Sequence, residues 1–271
     1  MTSTASSERL TAPPGFVERR AWGGRLWVRA SWERRLPLDG DGLEQAFRTV
    51  PGAVQFRGRG AVWSVPVGDD DRAVLRHYRH GGFLAPLTRD VFVGRTPRPV
   101  LELACSEALR RRGVRTPEIL ALYWRSAGPL MYRADLITRE ISNGLDLAAW
   151  LAAARGRGQS ARRRRALVAV GEALAGMHVA GLHHPDLNLK NLVVREQASG
   201  IEVWVLDLDR ARAGAPLAED DCVVQLKRLE RSFHKLSRGA PLASEREALA
   251  VLRAYFGPKW RRAHRAHWSP A

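Results

Sequence analysis

Apolar positions change their period midway along the chain. From Phe16 to Trp32 they fall in short alternating segments such as Arg25-Leu26-Trp27-Val28-Arg29, the two-residue period of an early strand or an edge element. Leu43 to Phe47 reads as a short helix closed off by Pro51-Gly52. Strand-like residues then flank two turn signals, Gly58 to Gly60 and Gly68 to Asp71, which predicts a β-hairpin meander reaching Arg76. Over Arg98 to Arg112 the period lengthens, with Leu101, Cys105 and Leu109 expected inward and Gly113 and Pro117 ending the helix. Leu120 to Trp124 and Leu130 to Thr138 predict two more strands, the second leading into Arg139-Glu140-Ile141, where a linker between lobes belongs. Beyond it helices dominate. Leu147 to Ala154 has Asp146 as N-terminal cap or first-turn acid. A long helix headed by Arg162 to Arg165 carries the stripe Leu167, Val170, Leu174 and Met177. Asp220 to Leu236 is expected to turn Val223 or Val224, Leu226, Leu229 and Phe233 inward, and Leu242 to Phe256 makes a final helix before a basic, Trp-bearing tail.

Composition sets limits on this picture. The 271 residues suit one large domain or two lobes sharing a cleft, and 45% hydrophobic content supplies a sizeable core. Residues 1–14, rich in Ser, Thr, Ala and Pro, read as a disordered tail without the apolar run of a signal peptide. No run approaches the roughly 20 apolar residues of a membrane span. Two cysteines, Cys105 and Cys222, cannot build a disulfide framework, which suggests a reducing, cytoplasmic setting. Lys and Arg number 44 against 28 acidic residues, a formal charge of +16. Such an excess attracts anions: nucleic acid, an acidic membrane surface or a phosphorylated substrate. No nucleic-acid recognition motif is present, so no nucleic-acid partner is expected.

The chemistry concentrates between His184 and Asp209. Asp186 and Asn191 stand five residues apart in H-P-D-L-N-L-K-N, the spacing of a kinase catalytic loop, and Asp207 follows the apolar run Val203 to Leu206. Phosphoryl transfer from ATP needs a carboxylate near the acceptor hydroxyl and oxygen ligands that hold Mg²⁺ against the phosphates. Asp186, Asn191 and Asp207 are those types in that order, although a polar cluster of this kind can also be only an Asx turn. Gly58 and Gly60 in a glycine-rich hairpin let backbone N–H groups approach phosphate oxygens; G-R-G alone is as often a tight turn. Arg76 ends a strand that overlays the V-A-I-K strand of kinases, with arginine in place of lysine and a surface arginine as the plainer alternative. Glutamates of the following helix, Glu102 or Glu107, are candidates to orient that cation. His178 reads as a core or capping residue and His184 as a buttress of the loop. No Cys/His set has zinc-ligand spacing.

Together F-R-G-R-G-A-V-W, V-L-R-H-Y-R-H-G-G, H-H-P-D-L-N-L-K-N and V-L-D-L-D-R resemble the lipopolysaccharide kinase family, over roughly Gln55 to Leu236. The likeness is nearest to its members that act on the 3-deoxy-D-manno-octulosonic acid (Kdo) sugar. The resemblance implies an α+β, bilobal protein-kinase-like fold, with an antiparallel N-lobe sheet bearing one helix and a mainly helical C-lobe. Residues 15–139 would form the first lobe and 140–271 the second. It further implies ATP and Mg²⁺ as cofactors and a hydroxyl, taken as the 4-OH, of Kdo on a lipid A precursor as acceptor. The enzyme would lie on the cytoplasmic face of the inner membrane, against its anionic surface. Carried over, Asp186 matches the general base, Asn191 and Asp207 the metal ligands and Arg76 the phosphate-facing cation. Glu102, eleven residues before Gly113, is then preferred to Glu107. Asp209 replaces the glycine of D-F-G and no A-P-E segment follows, which argues against a regulated protein kinase.

Overall fold

A computed structural model describes residues 10–56, 62–68, 70–79, 90–156, 158–237 and 242–268. Gly58 and Gly60 lie outside the described residues, as does most of the 1–14 tail. Two compact units are formed, one from residues 1–101 and 118–140, the other from 102–117 and 141–271. The division therefore passes through a helix that the sequence assigned wholly to the first lobe.

The first unit is built on one antiparallel sheet, eight-stranded among the described residues. Its strands are β1 (Phe16–Ala21), β2 (Gly24–Arg29), β3 (Val54–Phe56), β4 (Val62–Pro66), β5 (Arg72–His77), β6 (Phe92–Val93), β7 (Ile119–Gly128) and β8 (Met131–Arg139). They are ordered β1-β2-β7-β8-β5-β4-β3, with β6 on β8. The most apolar segment, Ile119 to Trp124, occupies a central strand and is buried throughout, as a strand covered on both faces requires. Trp22 and Gly23, at φ 47° and 72°, form the two-residue turn that joins β1 to β2 with the twist a hairpin favours. β3, β4 and β5 realise the expected meander, Val62 pairing with Arg76. The core gathers Leu26, Val28, Val65, Leu75, Leu120 and Ile137 with Phe47 of α1 (Leu43–Arg48).

The helix α2 spans Arg98–Arg111. Leu101 is exposed, contrary to the expected stripe, while Leu103, Cys105 and Leu109 are buried. At the helical period Glu102, Leu103, Ser106 and Leu109 share one arc, and Leu101 stands beyond its edge.

In the second unit α3 (Leu147–Ala153) begins as expected, Asp146 accepting from the Ala149 N–H at 2.9 Å. The long helix α4 (Ser160–Val179) buries Leu167, Val170, Leu174 and Met177. It packs on α6 (Glu245–Phe256) through Gly171, where a Cβ would strike the Val251 carbonyl and Ala254. Arg164 and Arg165 are exposed, but Arg163 is buried. Its guanidinium donates to Glu247 at 2.5 Å and to the Leu151 and Leu242 carbonyls at 2.8 and 2.6 Å. Glu247 also closes a capping box with Ser244, which starts α6 three residues later than Leu242. α5 (Glu219–Leu236) turns Val223, Leu226 and Leu229 inward and leaves Val224 exposed. The chain does not end in a tail after α6: Trp260–His267 forms α7, and Trp268 donates to Glu230 of α5 at 3.1 Å. Three short strands, β9 (Gly144–Asp146), β11 (Leu192–Gln197) and β12 (Gly200–Val205), lie in the order β12-β11-β9. No helix among the described residues is long and apolar enough to cross a membrane.

Candidate active site

Three of the sequence-selected residues come together in the second unit, and local rules explain how. α4 stops at Gly181, whose φ of +77° and lack of a Cβ let the Gly214 and Ala215 carbonyls approach. Released there, β10 (Leu182–His183) pairs with β13 (Arg212–Ala213) and carries His184 into the interior, where it is 0% exposed. Leu187, Leu189 and Leu192 then anchor the loop in the core while Asp186 and Lys190 face solvent. After Asn191 the hairpin β11–β12 folds back in register, Leu192 opposite Val205. That register brings Leu206 beside Asn191, the Leu206 N–H donating to the Asn191 carbonyl at 2.8 Å. Asp207, exposed, is therefore delivered to the same end of the unit as Asp186.

Hydrogen bonds fix the orientation of each group. The Asn191 Nδ2 donates to the Asp186 carbonyl at 2.9 Å. A carbonyl only accepts, so the amide nitrogen is the atom that faces it, and Oδ1 is left out of that bond. Asn188 supports the same carbonyl at 3.0 Å and accepts from the Lys190 N–H at 2.9 Å. His184 Nε2 lies 2.9 Å from the Leu206 carbonyl and Nδ1 accepts from the Asp186 N–H at 3.3 Å. Only the neutral tautomer with hydrogen on Nε2 satisfies both. Burial, the largest influence, pushes the His184 pKa below its ordinary value; Asp186 and Asp207 pull the other way, as two nearby carboxylates must. His184 and Asn191 thus each tie the Asp186 segment to the Leu206–Asp207 segment.

Asp207 sits at φ +57°, a left-handed backbone uncommon for a residue with a side chain. Among the described residues no group of three or more His, Cys, Asp or Glu could hold a metal. An Asn and an Asp suit Mg²⁺ nonetheless, because that ion takes few protein ligands and completes its shell with water and substrate phosphates. The Asn191 amide oxygen and the exposed Asp207 carboxylate fit such a role by donor type.

Arg76 lies on β5 of the first unit, its guanidinium 4.8 Å from the Tyr78 ring centroid and 3.4 Å from the Tyr78 hydroxyl. Glu102 on α2 is 5% exposed and Glu107 half-buried. A buried carboxylate requires a partner, which favours Glu102 as the structurally engaged glutamate. Sequence reasoning missed Asn188, Ser232, which accepts from the Leu189 N–H at 3.2 Å, and Gln225. The one available signal was a glutamine within the apolar face Cys222, Val223, Leu226 and Leu229.

Similarity to known proteins follows the same stretch. Residues 50–255 match the lipopolysaccharide kinase (Kdo/WaaP) family. A 3-deoxy-D-manno-octulosonic acid kinase of Vibrio vulnificus is 32% identical over 228 residues, covering 81% of this chain and 89% of its own. One from Xanthomonas oryzae pv. oryzae is 36% identical over 185 residues, covering 66% and 68%. The solved WaaP in complex with acyl carrier protein shares the fold at a TM-score of 0.59 and 21% identity, over 89% of this chain and 92% of that one. The α+β arrangement is accordingly kinase-like, and by the match over residues 50–255 and these relatives the chain belongs to the lipopolysaccharide kinase (Kdo/WaaP) family.

Proposed function

We propose that this protein transfers the γ-phosphoryl group of ATP to a hydroxyl, the 4-OH, of the Kdo sugar on a lipid A precursor. Family membership makes the chain a phosphotransferase of lipopolysaccharide biosynthesis; the Kdo acceptor is argued from the relatives of that name. The observation that carries the reading is the Asn191 bridge, one residue holding the Asp186 carbonyl by its side chain and the Leu206 N–H by its backbone. In this reading Asp186 accepts the hydroxyl proton as the sugar oxygen bonds to phosphorus, and the bond to ADP breaks in line. Asn191 and Asp207 would hold Mg²⁺, which would supply positive charge against the phosphates. Arg76, steadied by Tyr78, would serve the phosphates as a forked donor.

The charge of +16 and the exposed Arg164, Arg165, Arg261, Arg262 and Arg265 favour work at the anionic cytoplasmic face of the inner membrane. Arg163 and Trp268 are spent on internal contacts and take no part in it. The test is mass spectrometry of a Kdo-bearing lipid A precursor after incubation with ATP and Mg²⁺. One added phosphate on the Kdo residue is expected with the wild type and none with Asp186→Ala. Phosphate found instead on a heptose of a heptosylated core acceptor, or full turnover by Asp186→Ala, overturns the reading.

A further inference from the structure

The apolar face of α5 contains one polar side chain with no direct part in the proposed chemistry. Gln225 is 1% exposed and its Oε1 accepts the His184 N–H at 2.8 Å. His184 follows the last β10–β13 pair, so its N–H has left the ladder and would otherwise be an orphan donor in the interior. Gln225 Nε2 and His178 Nε2 of α4 are both buried without a hydrogen-bond partner among the described residues. On its other side His178 Nδ1 stands 2.6 Å from the Tyr255 hydroxyl of α6. The Gln225 Oε1 thereby joins α5 to the backbone two residues before Asp186.

We propose that Gln225 is a positioning residue for phosphoryl transfer. It fixes the His184 backbone, and with it the imidazole that holds the Asp186 N–H and the Leu206 carbonyl, the atoms adjoining both reactive carboxylates. A leucine would fill the same volume without the cost of burying an amide, so the amide is retained for its directional acceptor. The inference rests on the reading of Asp186 as the base.

Gln225→Leu and Gln225→Glu separate the possibilities, because the glutamate keeps an acceptor for the His184 N–H and the leucine does not. With ATP and the Kdo-bearing precursor, Gln225→Leu is expected to lose about 100-fold in kcat, the scale of a small misplacement of a reacting group, with KM for ATP within about threefold. Gln225→Glu is expected to regain at least about tenfold of that loss. A purely structural role predicts instead that kcat per folded molecule stays at the wild-type value in Gln225→Leu while only the melting temperature falls, and this result overturns the proposal. Asp186→Ala in the same assay keeps the two readings apart: its activity, if retained, refutes the base, whereas an inactive Asp186→Ala beside an unimpaired Gln225→Leu refutes only the positioning role. Should Gln225→Leu not fold, amide exchange in the wild-type protein decides. Protection of the His184 amide equal to that of the α4 core is expected, and exchange at surface-loop rates overturns the assignment.

Discussion

Replacing Arg163 by methionine keeps the aliphatic stem and removes the guanidinium from its pocket. In the native protein that group, its side chain 10% exposed, meets both oxygens of Glu247 at 2.5 and 3.2 Å. It also meets the Leu151 and Leu242 carbonyls. The hydrogen bond from Arg163 is the main reason the Glu247 carboxyl lies below the usual carboxylate range. Without the arginine, a half-buried carboxylate and two carbonyls lose their donor together. Breaking one partner of a buried pair costs about 3–5 kcal/mol. For a chain of this length that lowers Tm by on the order of 10 °C. Urea unfolding followed by circular dichroism reads the loss directly. A second change, Glu247→Gln, is expected to restore part of it, since the uncompensated charge is then gone. The kcat of the folded Arg163→Met protein should match the wild type, because Arg163 touches none of the Asp186 loop. A loss below about 1 kcal/mol, the value of a solvated surface arginine, would refute the clamp.

Three further outcomes are expected. Asp207→Asn should raise the Mg²⁺ concentration needed for half-maximal turnover at least tenfold or abolish activity, and an unchanged Mg²⁺ titration counts against the ligand assignment. Burial pushes the His178 pKa down to about 4, so below about pH 6.5 the unfolded chain binds a proton that the folded chain refuses. Stability from this residue is intact above that pH and falls by about 3 kcal/mol on approaching pH 4. His77, raised by Asp135 and Asp90 despite burial, works in the opposite sense, so wild type and His178→Gln are compared by urea unfolding at pH 7 and pH 5; equal losses would dismiss His178. Gly181→Ala forces a side chain into a left-handed backbone facing two carbonyls and should cost more than about 2 kcal/mol; a loss under half of that shows that the turn can relax.

The Asp186–Asn191–Asp207 set was legible because its geometry is encoded at short range. Three buried leucines, Leu187, Leu189 and Leu192, pin the loop, and a hairpin of matched arms returns Leu206 to Asn191. The stripe of α4 was legible for the same reason, four residues of one period in one helix. What depended on a distant partner was not. Arg163 differs from its neighbours only because Glu247 and two carbonyls happen to face it, and nothing local distinguishes it from Arg164. Leu101 misled because an apolar residue four positions before Cys105 can still fall past the edge of the buried arc. The start of α6 was written in Ser244-Glu245-Arg246-Glu247, a capping box that the periodicity argument passed over. Gln225 and Tyr255 acquire their roles only when three helices meet.

The left-handed backbone at Asp207 sets stability against use. Glycine adopts that conformation freely, whereas an ordinary side chain there costs roughly 1–2 kcal/mol. A library of this gene screened for heat resistance alone, with no demand for turnover, should therefore drift toward glycine or asparagine at position 207. Applying the demand again should return the aspartate. The torsion of one residue thus records which pressure the chain has been under.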